Sequence, residues 1–118
     1  MRPHYKLEAW KNAMDLVDQI YEVTNNFPSD ERFGLRSQMR RSAVSVPSNI
    51  AEGAARKGDA EFANFINIAK GSLSELETQL IISKRQHYLE DISELIDMVE
   101  KVSSQLSGLH TYLLSSDT

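Results

Sequence analysis

The chain has no cysteine. That excludes a disulfide framework, a thiolate metal site and a cysteine nucleophile, and it fits a reducing compartment. No apolar run approaches the roughly 18 residues of a membrane span, so no membrane partner is expected. The opening MRPHYKLEAW lacks the apolar stretch of a signal peptide, and the expected location is the cytoplasm. Three prolines and five glycines sit at only a few places. Strict alternation of apolar and polar residues is nearly absent, which disfavours strands. What remains is an all-α chain.

Signals for chemistry are equally scarce. The three histidines, His4, His87 and His110, fall on three different segments, with no ligand at metal-binding spacing. Gly53 and Gly58 lack the lysine and serine context of a phosphate-cradling loop. Ser42, Ser45 and Ser48 have no histidine partner in sequence. No catalytic residue, metal or cofactor is expected, and the chain is read as a non-enzyme.

Four periodic segments are present instead. The first spans about 6–24, where Leu7, Trp10, Met14, Val17 and Tyr21 step by three or four as one helical face must. Ala13, Leu16, Ile20 and Val23 form an adjacent apolar stripe. The second spans about 30–56, with Leu35, Met39, Ala43, Val46, Ile50 and Ala54 as its seam. Pro47 lies inside that pattern without shifting its phase. It cannot donate to the Ala43 carbonyl, and its ring crowds that carbonyl. The preferred reading is one helix kinked near Val46, with Ser42, Ser45, Ser48 and Asn49 as the hydrogen-bonding response. The competing reading is two helices, the second capped by Ser48 or by Asn49 with Glu52 three residues on.

Gly58 is read as the stop and Asp59 as the cap of a third segment, about 59–87. Its seam is Phe62, Ile66, Ala69, Leu73, Leu76 and Leu80, with Phe65 and Ile68 as a second stripe. A fourth segment, about 90–114, carries Ile92, Leu95 or Ile96, Val99, Val102, Leu106, Leu109 and Leu113. The final SSDT is expected to fray. Short connections force antiparallel neighbours. The expected architecture is a single up-down-up-down four-helix bundle over residues 1–118.

Charge is unevenly placed. The chain sums to −4, yet between Arg32 and Lys57 stand six basic residues and one acid. Arg32, Arg36 and Arg40 are spaced i, i+4, i+8 and line one helical stripe; Arg41, Ser45, Ser48, Glu52 and Arg56 form a neighbouring polar stripe, and Lys57 follows it. Such a stripe suits phosphate. It suits carboxylates of a neighbouring helix or subunit equally well. Glu75 and Gln79 are expected to form a buried polar pair with Arg40 or Asn49. Apolar residues off the seams, among them Val44, Ala51, Phe65 and Ile68, argue for self-association.

Longer strings add to this. IY at 20–21, FP at 27–28, GLRSQ at 34–38, RRSAVSVPSNIAEG at 40–53 and GSLSELETQL at 71–80 occur in that order. This pattern, covering about Leu7 to Leu89, resembles the four-helix-bundle family of proteins encoded in 23S rRNA intervening sequences. That family includes the accessory variability proteins of diversity-generating retroelements. Its core is the run carrying Pro47, Ser48, Asn49, Glu52 and Gly53. The resemblance implies a ring-like homopentamer, no catalytic activity and, for the retroelement members, association with nucleic acid and a reverse transcriptase. Those members are strongly basic, whereas five copies of this chain would carry −20. The expected role is a homo-oligomeric scaffold, with itself and a protein as partners. The alternative is a nucleic-acid-binding accessory that uses the arginine stripe.

Overall fold

The structure, a computed structural model, describes residues 3–115, apart from the Tyr5 side chain. Four α-helices make a bundle: α1 (Glu8–Thr24), α2 (Leu35–Ala54), α3 (Asp59–Arg85) and α4 (Ser93–Ser115). Single 3-10 turns, Pro3–Lys6 and Ser29–Glu31, precede α1 and α2. Around the bundle α1 packs on α2, α2 on α3 and α3 on α4, and α4 closes the ring against α1. The body measures 49 × 22 × 20 Å, a rod somewhat longer than the roughly 40 Å of its longest helix, α3. All but the first residue of SSDT lies outside the described residues.

Most of the α2 and α3 seams go where their period sends them; Ala54 and Phe62 are only half-buried, and Gly53 and Ala63 beside them turn inward. Leu35, Met39, Ala43, Val46 and Ile50 face Ile66, Ala69, Leu73, Leu76 and Leu80 in the core. Ile92, Leu95, Val99, Val102, Leu106 and Leu113 complete it from the α4 side. In α1 the two expected stripes exchange roles. Ala9, Ala13, Leu16, Ile20 and Thr24 are buried, while Met14 and Tyr21 are exposed. Both stripes are apolar, so α1's contact with α4 as well as α2 decides which one turns inward.

The α2 helix is continuous through Pro47, and Pro47 is itself buried. The Ser48 hydroxyl donates to the Val44 carbonyl at 2.7 Å, and the Asn49 amide donates to the Ser45 carbonyl at 2.8 Å. The side-chain donors thus serve the carbonyls one and two residues beyond Ala43, and not the Ala43 carbonyl to which the sequence pointed.

The ends of α2 differ from the sequence reading. The helix starts at Leu35 rather than Asp30, because the Glu31 carboxylate folds back to accept the Leu35 amide at 3.1 Å. This satisfies one of the donors a helix start leaves orphaned. Gly58 does not end α2; it is the extended residue before α3, and Asp59 is the first residue of α3. At the α2–α3 crossing Gly53 is buried. A Cβ there would lie 2.8 Å from both the Phe62 ring and the Phe65 Cβ. Only glycine permits that approach of the two helices. α3 ends in a Schellman turn. His87 adopts φ 65°, the Tyr88 amide donates to the Ser83 carbonyl at 2.9 Å and the His87 amide to the Lys84 carbonyl at 3.0 Å.

Candidate functional site

The basic residues separate into two groups along α2. Arg56 lies at its C-terminal end, pairs with Glu52 one turn back and covers the Phe65 ring at 4.9 Å. Lys57 follows, exposed. Arg40 stands fourteen residues of helix, about 21 Å, from the end of α2 at Ala54, and Arg56 lies two residues beyond that end.

At the other end Arg32, Arg36, Arg40 and Arg41 line one open depression of about 570 Å³, together with Tyr21, Phe33, Ser37 and Val44. Arg32 is not on α2; it closes the preceding 3-10 turn and sits 5.3 Å from the Phe33 ring. Phe33 is 88% exposed, a large apolar side chain held out in solvent. It was not singled out from sequence. The available signal was an aromatic placed in a turn, with no apolar residue at helical spacing to pack on.

Arg40 is committed within the chain. Its Nε donates to the hydroxyl of fully buried Thr24 at 2.9 Å. Its Nη2 donates to the Tyr21 carbonyl at 3.2 Å and to Asn25 Oδ1 at 3.0 Å. The guanidinium also lies 4.4 Å from the Tyr21 ring centre. Thr24 passes the bond on by donating to the Ile20 carbonyl at 2.7 Å. Among the described residues, no carboxylate lies within 4.0 Å of any of these four arginines. Arg36 and Arg41 therefore present guanidinium groups that form no ion pair among the described residues.

The expected Glu75–Gln79 pair does not form. Glu75 is exposed and Gln79 half-buried. Leu76 takes the inward position, and one residue along a helix is a rotation of about 100°, which carries Glu75 outward. Arg40 is engaged with α1, and the Asn49 amide with Ser45, so neither reaches Glu75. The two residues instead flank a polar cleft of about 380 Å³ between α2 and α3, with Gln38, Arg41, Ser42, Ser45 and Ser72. The Ser45 and Ser72 hydroxyls bond across it at 2.8 Å, and Gln79 Oε1 is buried without a partner.

The face between α1 and α2 continues beyond the arginines. Trp10, Met14, Val17, Val44, Pro47 and Ala51 line an apolar furrow of about 430 Å³, with His4 and Ser48 at its edge. Val44 belongs to both hollows, so furrow and arginine depression form one surface. On the opposite flank of α1, Gln19, Glu22, Val23, Asp91, Glu94 and Leu95 line a groove of about 400 Å³. Asp91 accepts the Ser93 amide at 2.9 Å and hydroxyl at 2.7 Å. These bonds hold its carboxyl below the usual carboxylate range. At the same end of the rod the Tyr88 hydroxyl donates to Glu31 at 2.9 Å. That bond, with partial desolvation and the Glu31 charge, raises the Tyr88 pKa.

Among the described residues no three His, Asp or Glu side chains gather as a metal site requires, and no helix is long and apolar enough to cross a membrane. No curated protein matches the chain. A solved structure similar to it is a protein of unknown function from the S23 ribosomal protein family of Bacteroides thetaiotaomicron. The two are 23% identical over 91% of this chain and 95% of that one, with a TM-score of 0.62, a likeness of fold. The model of the 23S rRNA-intervening sequence proteins matches residues 5–108, and the chain belongs to that family.

Proposed function

We propose that this protein is a non-enzymatic scaffold that assembles with copies of itself into a ring, a pentamer by family resemblance, and in that form engages a protein partner in the cytoplasm. One observation carries the reading: the α1/α2 face joins an apolar furrow to an arginine depression. Trp10, Met14, Tyr21, Phe33, Val44 and the four arginines line it, with no lysine. Aromatics, methionine and arginine are the residues that protein interfaces enrich, and lysine is one they deplete. A continuous apolar surface rimmed by charge is costly to leave in water.

The bundle in this reading runs up-down-up-down. Ser83 near the end of α3 bonds Met39 near the start of α2 at 3.3 Å, and Gly53 at the end of α2 meets Phe62 at the start of α3, as antiparallel neighbours would. α2 bends at Pro47, where a backbone donor is missing and the Ser48 and Asn49 side chains serve nearby carbonyls.

Light scattering on the purified protein tests the assembly. The expected mass is five times the 13.4 kDa of one chain, and a particle of 13.4 kDa overturns the reading.

A second reading, a nucleic-acid accessory, draws on Phe33 standing exposed beside unpaired guanidinium groups, an arrangement that suits base stacking with phosphate contact. The net charge of −4 opposes it at long range. It requires binding to RNA or DNA that weakens steeply with salt.

A further inference from the structure

We infer that the arginine depression of one copy receives the α1/α4 edge of a second copy, with Glu22 and Glu94 supplying the carboxylates that Arg36 and Arg41 lack. The inference rests on the self-assembly reading and names the two surfaces that meet. Arg36 and Arg41 form no ion pair within 4.0 Å among the described residues; the carboxylate nearest in the fold is Glu75, which shares the α2–α3 cleft with Arg41 without pairing to it. The groove on the other flank of α1 presents the converse: Glu22, Asp91 and Glu94 line it with no cation. Asp91 is engaged with Ser93, whereas Glu22 and Glu94 are exposed and form no ion pair among the described residues. Each surface is the electrostatic complement of the other, which steers encounter and fixes register.

Position argues for the same pairing. Tyr21 lines the basic depression and its neighbour Glu22 the acidic groove. Both hollows are therefore at one height along the rod, on two different sides of the last turns of α1. Two different patches that meet make a head-to-tail contact, and such contacts generate either closed rings or open filaments. A helical filament needs a rise along the axis at every step. Patches at equal height give none when the rods stand parallel, and such a series of contacts makes a ring where the turn per step closes. Every Arg36 and Arg41 in the ring then meets a neighbour's glutamates.

Charge reversal tests the pairing, read by light scattering at low salt with circular dichroism as the check on folding. Arg36→Glu with Arg41→Glu is expected to reduce the particle to 13.4 kDa or to weaken assembly at least about tenfold, and Glu22→Arg with Glu94→Arg to do the same. The chain carrying all four changes regains the wild-type mass, because the exchanged charges still face each other. Arg36→Gln with Arg41→Gln serves if the glutamates disturb folding, and is expected to weaken assembly in the same sense. If both reversals keep the wild-type mass, self-assembly stands and this interface is wrong. A four-fold variant that stays dissociated also refutes the pairing. A monomeric wild type instead refutes the self-assembly reading itself. Basic-pair variants that keep their mass but lose binding to a single-stranded RNA oligonucleotide overturn the inference and assign the depression to nucleic acid.

Discussion

Arg40 and Arg36 are one helical turn apart and look alike in the sequence, yet they have opposite fates. Arg40 spends its donors on Thr24, Tyr21 and Asn25 and lies over the Tyr21 ring, tying the end of α1 to α2. Arg36 has no such partner among the described residues. A lysine cannot reproduce a planar fork that stacks on a ring while bonding three oxygens. Arg40→Lys is accordingly expected to cost about 1–2 kcal/mol, measured as a lower urea midpoint with an unchanged slope. Arg36→Lys is expected to leave the stability of the single chain where it was. The i, i+4, i+8 spacing made the arginines visible in the sequence. It could not separate them, because the separation depends on Thr24 and Asn25, which only the α1–α2 packing brings to Arg40.

At the scale of the element, helix ends were the least legible. α2 begins where Glu31 returns to the Leu35 amide, a long-armed cap that reaches from four residues back rather than from the N-cap position. α3 ends on His87 at φ 65°, a left-handed position that glycine fills without steric cost. The sequence places no glycine there to mark it. His87→Gly is expected to raise the thermal midpoint, by about 0.5–1 kcal/mol in stability, since the backbone is already where glycine is comfortable. A lowered midpoint would mean that the imidazole contributes more than its strained backbone costs. Helix interiors were easier. Period and phase carried the α2 seam straight through Pro47, and the single continuous helix follows from that phase.

For the whole molecule, the α1/α2 face matters most. α1 has two apolar stripes, and the bundle buries one and displays the other. The displayed stripe, with Trp10, Met14, Val17 and Tyr21, makes the furrow that runs into the arginine depression. If copies cover that face, folding and association are linked, and the thermal midpoint rises as protein concentration rises. Calorimetry over a hundredfold range of concentration is expected to show this shift, and a constant midpoint would indicate a chain that is stable alone.

The sequence by itself determined the all-α class, the number of helices, the seams of α2 to α4 and the family, because these rest on local period, short turns and an uninterrupted string of residues around Pro47. Tertiary structure decided the rest. It chose which stripe of α1 turned inward, carried Glu75 out of the core by placing Leu76 within it, held Arg40 inside the chain and left Arg36 and Arg41 outside. Each of these depends on which helix stands beside which, and a pattern read along one chain contains no such neighbour.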